Sequence, residues 1–190
     1  CYGEPEKTPI SEDHPLNPIN PYGGSKIAFE HVLSAYYHSF GIKSVSLRYF
    51  NVYGPGDEQI PRTRAVPTWV ANAVEGKSLP MYWEGKQKKD YIFVEDVARA
   101  NLMAAGKCDG FRVYNVGSGN GIWMYDLAKV LEKVIGHKLE IKQMGERKGD
   151  PTVTVGDISK IKKELGWKPE VDLETGLKRT IEYYAGRIKK

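Results

Sequence analysis

Between Asn20 and Gly41 the apolar positions recur at helical spacing: Phe29, Leu33, Tyr36 and Phe40 stand four, three and four residues apart. One face of a 3.6-residue helix produces that stripe. Asn20 suits an N-cap, because its side-chain oxygen can accept from the first free N–H groups. Pro21 suits the first helical position, where a missing N–H costs nothing. Gly41 ends the run. Ser44–Phe50 then reads as a strand leading to the turn Tyr53–Gly56. Further along, the pattern predicts a helix over Pro67–Val74, a short strand near Met81–Trp83 and a charged turn over Glu84–Lys89. A strand at Tyr91–Val94 and a helix over Glu95–Ala105 capped by Gly106 come next, then a strand at Arg112–Val116. Helix Tyr125–Ile135 is stopped by Gly136, a strand follows at Leu139–Gln143, and helices cover Ser159–Leu165 and Glu174–Ala185. Residues 3–21, rich in Pro, Glu and Asn, read as an irregular surface segment. Strands alternating with helices imply an α/β architecture.

Composition narrows the function classes. A hydrophobic share of 41% with 27% charged residues is that of a globular protein with a real core. No apolar run approaches a membrane span, so no membrane partner is expected. The net charge of +4 is spread along the chain apart from a short run at 86–89 and the C-terminus. That spread suits an anionic small molecule and does not call for nucleic acid. Cys1 and Cys108 have no metal spacing with the four histidines, so no metal is expected and free thiols in a reducing cytosol are the default. A start on Cys1 rather than methionine suggests a fragment or a processed chain.

Tyr22 and Lys26 carry the sharpest chemistry. Four-residue spacing places both on one helix face, on the line continued by Phe29, Leu33, Tyr36 and Phe40. Lys26 is therefore expected on the seam that the helix buries. There it either snorkels to solvent or serves a proton-transfer pair. In the second case the ammonium favours the phenolate, lowers a phenol pKa of about 10, and makes tyrosine a usable general base.

Seven segments decide between these readings by their order. YGEP is followed by NPYGGSK at 20–26, LRYFNVYGPG at 47–56 and DYIFVEDVARA at 90–100. YNVGSG at 114–119, ERKGDP at 146–151 and DISKIKKELGWKP at 157–169 come after. Together they resemble the extended short-chain dehydrogenase/reductase family that acts on nucleotide sugars, above all the 4-epimerases of the UDP-glucose 4-epimerase type. The resemblance implies the last part of a Rossmann-type parallel-sheet domain at 1–62 and a smaller α/β substrate domain at 63–190. The stretch 91–117 is a candidate to return to the first domain's sheet. It implies Tyr22 as catalytic base, with Lys26 holding the nicotinamide ribose of NAD, and Tyr49 and Phe50 beside the nicotinamide. Substrate contacts would come from Asn51 and Arg147 on the diphosphate, Tyr82 on the base and Asp150 on the ribose. Thr154 stands four residues after Asp150 at a position lining the sugar pocket, where a small residue goes with N-acetylated sugars.

The departures matter too. Lys88 and Lys89 precede Asp90 where the family usually has arginine, so Lys89 keeps the phosphate-binding charge without the bidentate fork. Trp83 stands where glycine is common, and Trp123 and Met124 replace a small polar residue. The family's glycine-rich dinucleotide turn after its first strand has no counterpart here. This chain alone is therefore expected to be inactive and to hold NAD only weakly, while its parent would be a cytoplasmic UDP-sugar 4-epimerase. A nucleotide-sugar 4,6-dehydratase and a non-catalytic nucleotide-sugar-binding module are the alternatives. A homodimer through the Tyr22–Phe40 helix is the expected assembly.

Overall fold

A computed structural model describes residues 1–57 and 62–188. Helix α1 (Pro21–Phe40) leads into strand β1 (Ser44–Tyr49) and β2 (Asn51–Tyr53). Then come α2 (Ala65–Val74), β3 (Leu79–Met81), a single 3-10 turn at Trp83–Gly85, β4 (Lys88–Phe93) and α3 (Val94–Gly106). Strands β5 (Phe111–Val116) and β6 (Gly121–Trp123) precede α4 (Met124–Ile135). Strands β7 (Ile141–Gln143) and β8 (Val153–Thr154) and helices α5 (Ser159–Leu165) and α6 (Leu173–Ile188) complete the order. The α/β class is as expected.

Strand β1 pairs in parallel with β5, from Ser44 opposite Phe111 to Tyr49 opposite Val116. Strand β4 lies at the centre of a second sheet. It takes β2 and β8 in parallel and β6 antiparallel. Strands β3 and β7 form a small parallel pair. The segment 111–116 thus joins the strand at 44–49. The expected domain boundary at 62 abuts residues 58–61, which lie outside the described residues.

Strand alternation sorts β4 between two cores. Tyr91 and Phe93 pack into the larger, with Trp69 and Val70 of α2, Leu127 of α4 and Leu177 of α6. Ile92 faces the other way into the smaller, with Val97, Tyr114, Ile161 and Trp167. Trp167 and Trp69 are essentially fully buried, and each indole N–H donates to a carbonyl, of Asp96 and Pro80 respectively. A buried indole requires such a partner.

Several sequence expectations change. The charged turn at Glu84–Lys89 ends early: the 3-10 turn stops at Gly85 and Lys88 already opens β4. Gly106 lies inside the last turn of α3, with Lys107 as cap. The segment before α1 is not purely surface, because Ile10 is fully buried and bridges Gly156.

The largest correction concerns α1. Its N-cap, proline and glycine stop are as expected: Asn20 accepts from the N–H of Gly23, and Gly41 is left-handed. Its buried face is not. Tyr22 and Phe40 are each 72% exposed and Lys26 is also exposed, while Gly23 and Glu30 are buried. The reason is an ion pair. Arg48 of β1 donates to both oxygens of Glu30, and Ser46 donates to one at 2.7 Å. The same guanidinium donates to the hydroxyl of Tyr2 and the carbonyl of Glu12, and Tyr2 donates on to Asn115 at 2.6 Å. A buried carboxylate cannot be left unpaired, so it overrides the apolar stripe in setting the helix's rotation.

Breaking such a pair on one side costs about 3–5 kcal/mol. Arg48→Met is expected to lower unfolding free energy by about 3 kcal/mol or more in urea titration, and Glu30→Gln by less. Burial pushes the Glu30 carboxyl up, but the hydrogen bonds from Arg48 and Ser46 outweigh it and hold the group below its ordinary 4.5. The pair's contribution is therefore full above pH 4.5 and is lost as pH falls through the depressed value. The stability difference between wild type and Glu30→Gln should shrink across that acid window.

Candidate functional site

The first turn of α1 presents Tyr22 and Lys26 to solvent, with the Lys26 ammonium 5.1 Å from the Tyr22 ring centroid. The cation lies over the ring. Among the described residues Lys26 makes no ion pair, so its donors are free to meet a ligand hydroxyl.

A second group gathers at the start of β4. Lys89 is only 7% exposed, and its ammonium donates to Asp150 at 2.9 Å and to the carbonyl of Pro151 at 2.5 Å. Gln87, also buried, donates to the other Asp150 oxygen at 3.0 Å. Thr154 lies on β8 directly opposite Lys89 and is half-buried. Asn51 opens β2, and its amide donates to the carbonyl of Asp90. The Arg147 guanidinium lies 5.8 Å from the centre of the Tyr82 ring, the aromatic that precedes the 3-10 turn. Residues 147–150 are further fixed by Asn20, whose amide donates to the carbonyl of Gly149 at 2.8 Å.

Not every expected residue joins these groups. Along β1, Ser46 and Arg48 turn toward α1, while Val45 and Leu47 pack in the core with α3. Tyr49 follows the second set, and its hydroxyl donates to Asn101 of α3 at 2.8 Å. By this alternation the Tyr49 side chain lies on the face away from the helix that carries Tyr22. The Phe50 ring covers Gly156 and Gly117, where an added Cβ would meet it at 2.5 and 3.1 Å. The charge of Lys89 is directed to Asp150.

Asp90 is the residue that sequence reasoning missed. It is fully buried and accepts from the N–H groups of Ser118, Gly119 and Gly156 and from the Ser118 hydroxyl. Burial pushes its carboxyl up, against these donors, which pull it down. The signal was present: an aspartate inside an otherwise apolar strand needs donors, and a glycine-serine-glycine turn supplies backbone N–H groups.

Residues 1–180 match the family model described as GDP-mannose 4,6 dehydratase. The chain belongs to that family, the nucleotide-sugar epimerases and dehydratases of the extended short-chain dehydrogenase/reductases. It is 32% identical to a UDP-glucose 4-epimerase from Corynebacterium glutamicum, an alignment covering 92% of this chain and 57% of that protein. Among solved structures, the UDP-glucose 4-epimerase of Thermotoga maritima with UDP-glucose superimposes with a TM-score of 0.94 at 36% identity, over 98% of this chain and 60% of that one. The dTDP-glucose 4,6-dehydratase of Streptomyces venezuelae, with NAD bound, gives 0.90 at 28% identity, over 99% and 58%. The chain thus spans about three-fifths of the length of these relatives. Among the described residues no helix is long and apolar enough to cross a membrane.

The residues present fit part of a nicotinamide cofactor's needs. Tyr22 and Lys26 offer a phenol and an ammonium, exposed together, to a ribose. No glycine-rich turn of the dinucleotide type occurs in the 190 residues to take a pyrophosphate.

Lys89→Met is expected to cost about 2 kcal/mol, since Asp150 keeps Gln87 and some solvent. Hydrogen exchange at residues 147–151 should rise with it. Unchanged stability and exchange would show that the buried ammonium does not hold this loop.

Proposed function

We propose that the protein carrying this chain is an NAD-dependent nucleotide-sugar 4-epimerase, acting on UDP-glucose or its N-acetylated equivalents. The observation that carries this reading is the pairing of the Tyr82 ring with the guanidinium of Arg147, whose loop is fastened through Gly149 to Asn20, the cap of the helix that exposes Tyr22 and Lys26. A flat base suits the ring, and a diphosphate suits the guanidinium. Asp150 keeps accepting capacity for ribose hydroxyls, because a carboxylate has about four acceptor sites and Gln87 and Lys89 occupy two. Lys89 then acts behind Asp150, neutralising and orienting it, and Arg147 is left as the phosphate contact on this loop.

Tyr22, as the phenolate, takes the proton of the sugar's 4-hydroxyl and becomes the neutral phenol. Lys26 stabilises the phenolate before that transfer and holds the nicotinamide ribose. The bound cofactor supplies reversible two-electron oxidation at carbon 4. Thr154 leaves room that an acetamido group needs, and its hydroxyl can hydrogen-bond the amide. A 4,6-dehydratase is the second reading, favoured by the family model's description and by the dehydratase fold match. It predicts a 4-keto-6-deoxy product, which product analysis distinguishes from an epimer. Exposed Phe29, Tyr36 and Phe40 on α1, beyond the turn that carries Tyr22, support a homodimer through that helix.

In the complete enzyme, Tyr22→Phe is expected to lower kcat about 100- to 10,000-fold with substrate affinity retained. Wild-type turnover in that variant at neutral pH would remove Tyr22 as the base. In the same assay Thr154→Tyr should shift kcat/KM away from UDP-N-acetylglucosamine and toward UDP-glucose. An unchanged ratio refutes the pocket assignment. Sedimentation at micromolar concentration should find a dimer that Phe40→Asp dissociates, and a monomeric wild type rejects the helix interface.

A further inference from the structure

Asn20 makes two contacts that point in different directions. Its side-chain oxygen accepts from the N–H of Gly23 at 2.8 Å and caps α1, six residues before Lys26. Its side-chain nitrogen donates to the carbonyl of Gly149 at 2.8 Å, across 129 positions of sequence. Capping alone does not require asparagine, since aspartate and serine cap as well. Only the amide combines an acceptor for the helix with a separate donor for the loop.

The loop at the far end of that second bond is held on its other sides. Asp150 is gripped by Lys89 and Gln87, and the N–H of Thr152 donates to Glu4 at 2.8 Å. Gly149 is left-handed at φ +77° and lies against the segment before α1. An added Cβ there would stand 3.4 Å from the carbonyl oxygen of Ile19 and 3.6 Å from the Cβ of Asn20. The loop is thus anchored to β4 on one side and to the cap of α1 on the other.

We propose that Asn20 is a positioning residue that couples the 147–150 loop to the first turn of α1, so that a nucleoside diphosphate held by Arg147 and Asp150 rigidifies the turn carrying Tyr22 and Lys26. The ligand part rests on the nucleotide-sugar reading, while the tether itself does not. Ordering one side of a shared hydrogen bond lowers the cost of ordering the other.

Asn20→Asp separates the two functions: it keeps the cap and replaces the donor with an oxygen facing a carbonyl. Hydrogen exchange of the 190-residue chain without ligand should show residues 147–150 exchanging about three- to ten-fold faster in this variant, the loss of one hydrogen bond. Protection of Gly23 and Gly24 should be unchanged. Asn20→Ser, which caps but is too short to reach the loop, should behave alike. With UDP as probe, binding being followed by calorimetry, exchange at 23–26 should slow in wild type and not in either variant. Equal loop exchange in wild type and both variants overturns the tether. Bound UDP that leaves 23–26 unchanged in wild type, or slows it equally in the variants, overturns the coupling. If UDP does not bind wild type at all, the nucleotide-sugar reading of the loop fails and the coupling with it, while the ligand-free comparison still decides the tether.

Discussion

Strand β4 buries a cation and an anion on consecutive residues, and the rest of the site is arranged around them. Lys89 and Asp90 face opposite sides of the sheet because strand side chains alternate. Neither can stay buried without polar partners, since an unpaired charge in a protein interior costs several kcal/mol. Neither finds them nearby in sequence. Lys89 takes Asp150 and the Pro151 carbonyl, and Asp90 takes the backbone of the 118–119 turn and of Gly156. Three distant loops are drawn to one end of one strand. That end is where Asn51, Thr154 and the Arg147–Asp150 loop meet.

A second buried charge network does the same for the helix. Glu30, Arg48, Tyr2 and Asn115 link α1, β1, the N-terminal segment and β5 through side-chain hydrogen bonds. It turns the polar flank of α1 inward and leaves its apolar stripe outside. Tyr22 and Lys26 then stand exposed at the helix start. The stripe that periodicity assigns to a core is available to another surface, which is why a second copy of the chain is the proposed neighbour.

Under the proposed function the two networks divide the work: one would hold the groups suited to diphosphate and ribose, and the other would aim the proposed proton-transfer pair. Family membership rests on the match across residues 1–180, and the site's chemistry rests on these contacts. No glycine-rich turn of the dinucleotide type occurs in the 190 residues.

Much of this was legible in the residues themselves. Both ends of α1 followed from its cap and its glycine stop, and the C-terminal end of α4 from Gly136, because those are local rules of backbone conformation. The α/β class followed from alternating periodicities, and the candidate residues from motif order. What the sequence could not determine was which face of α1 turns inward, that Tyr49 points to α3, or that Lys89 closes on Asp150. Periodicity reports that a helix has an apolar side, but an ion pair between residues 18 apart decided which side the sheet covers. Strand alternation decided Tyr49, and the need to neutralise a buried ammonium decided Lys89. Local propensity acts within a turn or two of the chain. Charge burial acts wherever the fold happens to bring its partners, and only the tertiary structure says where that is.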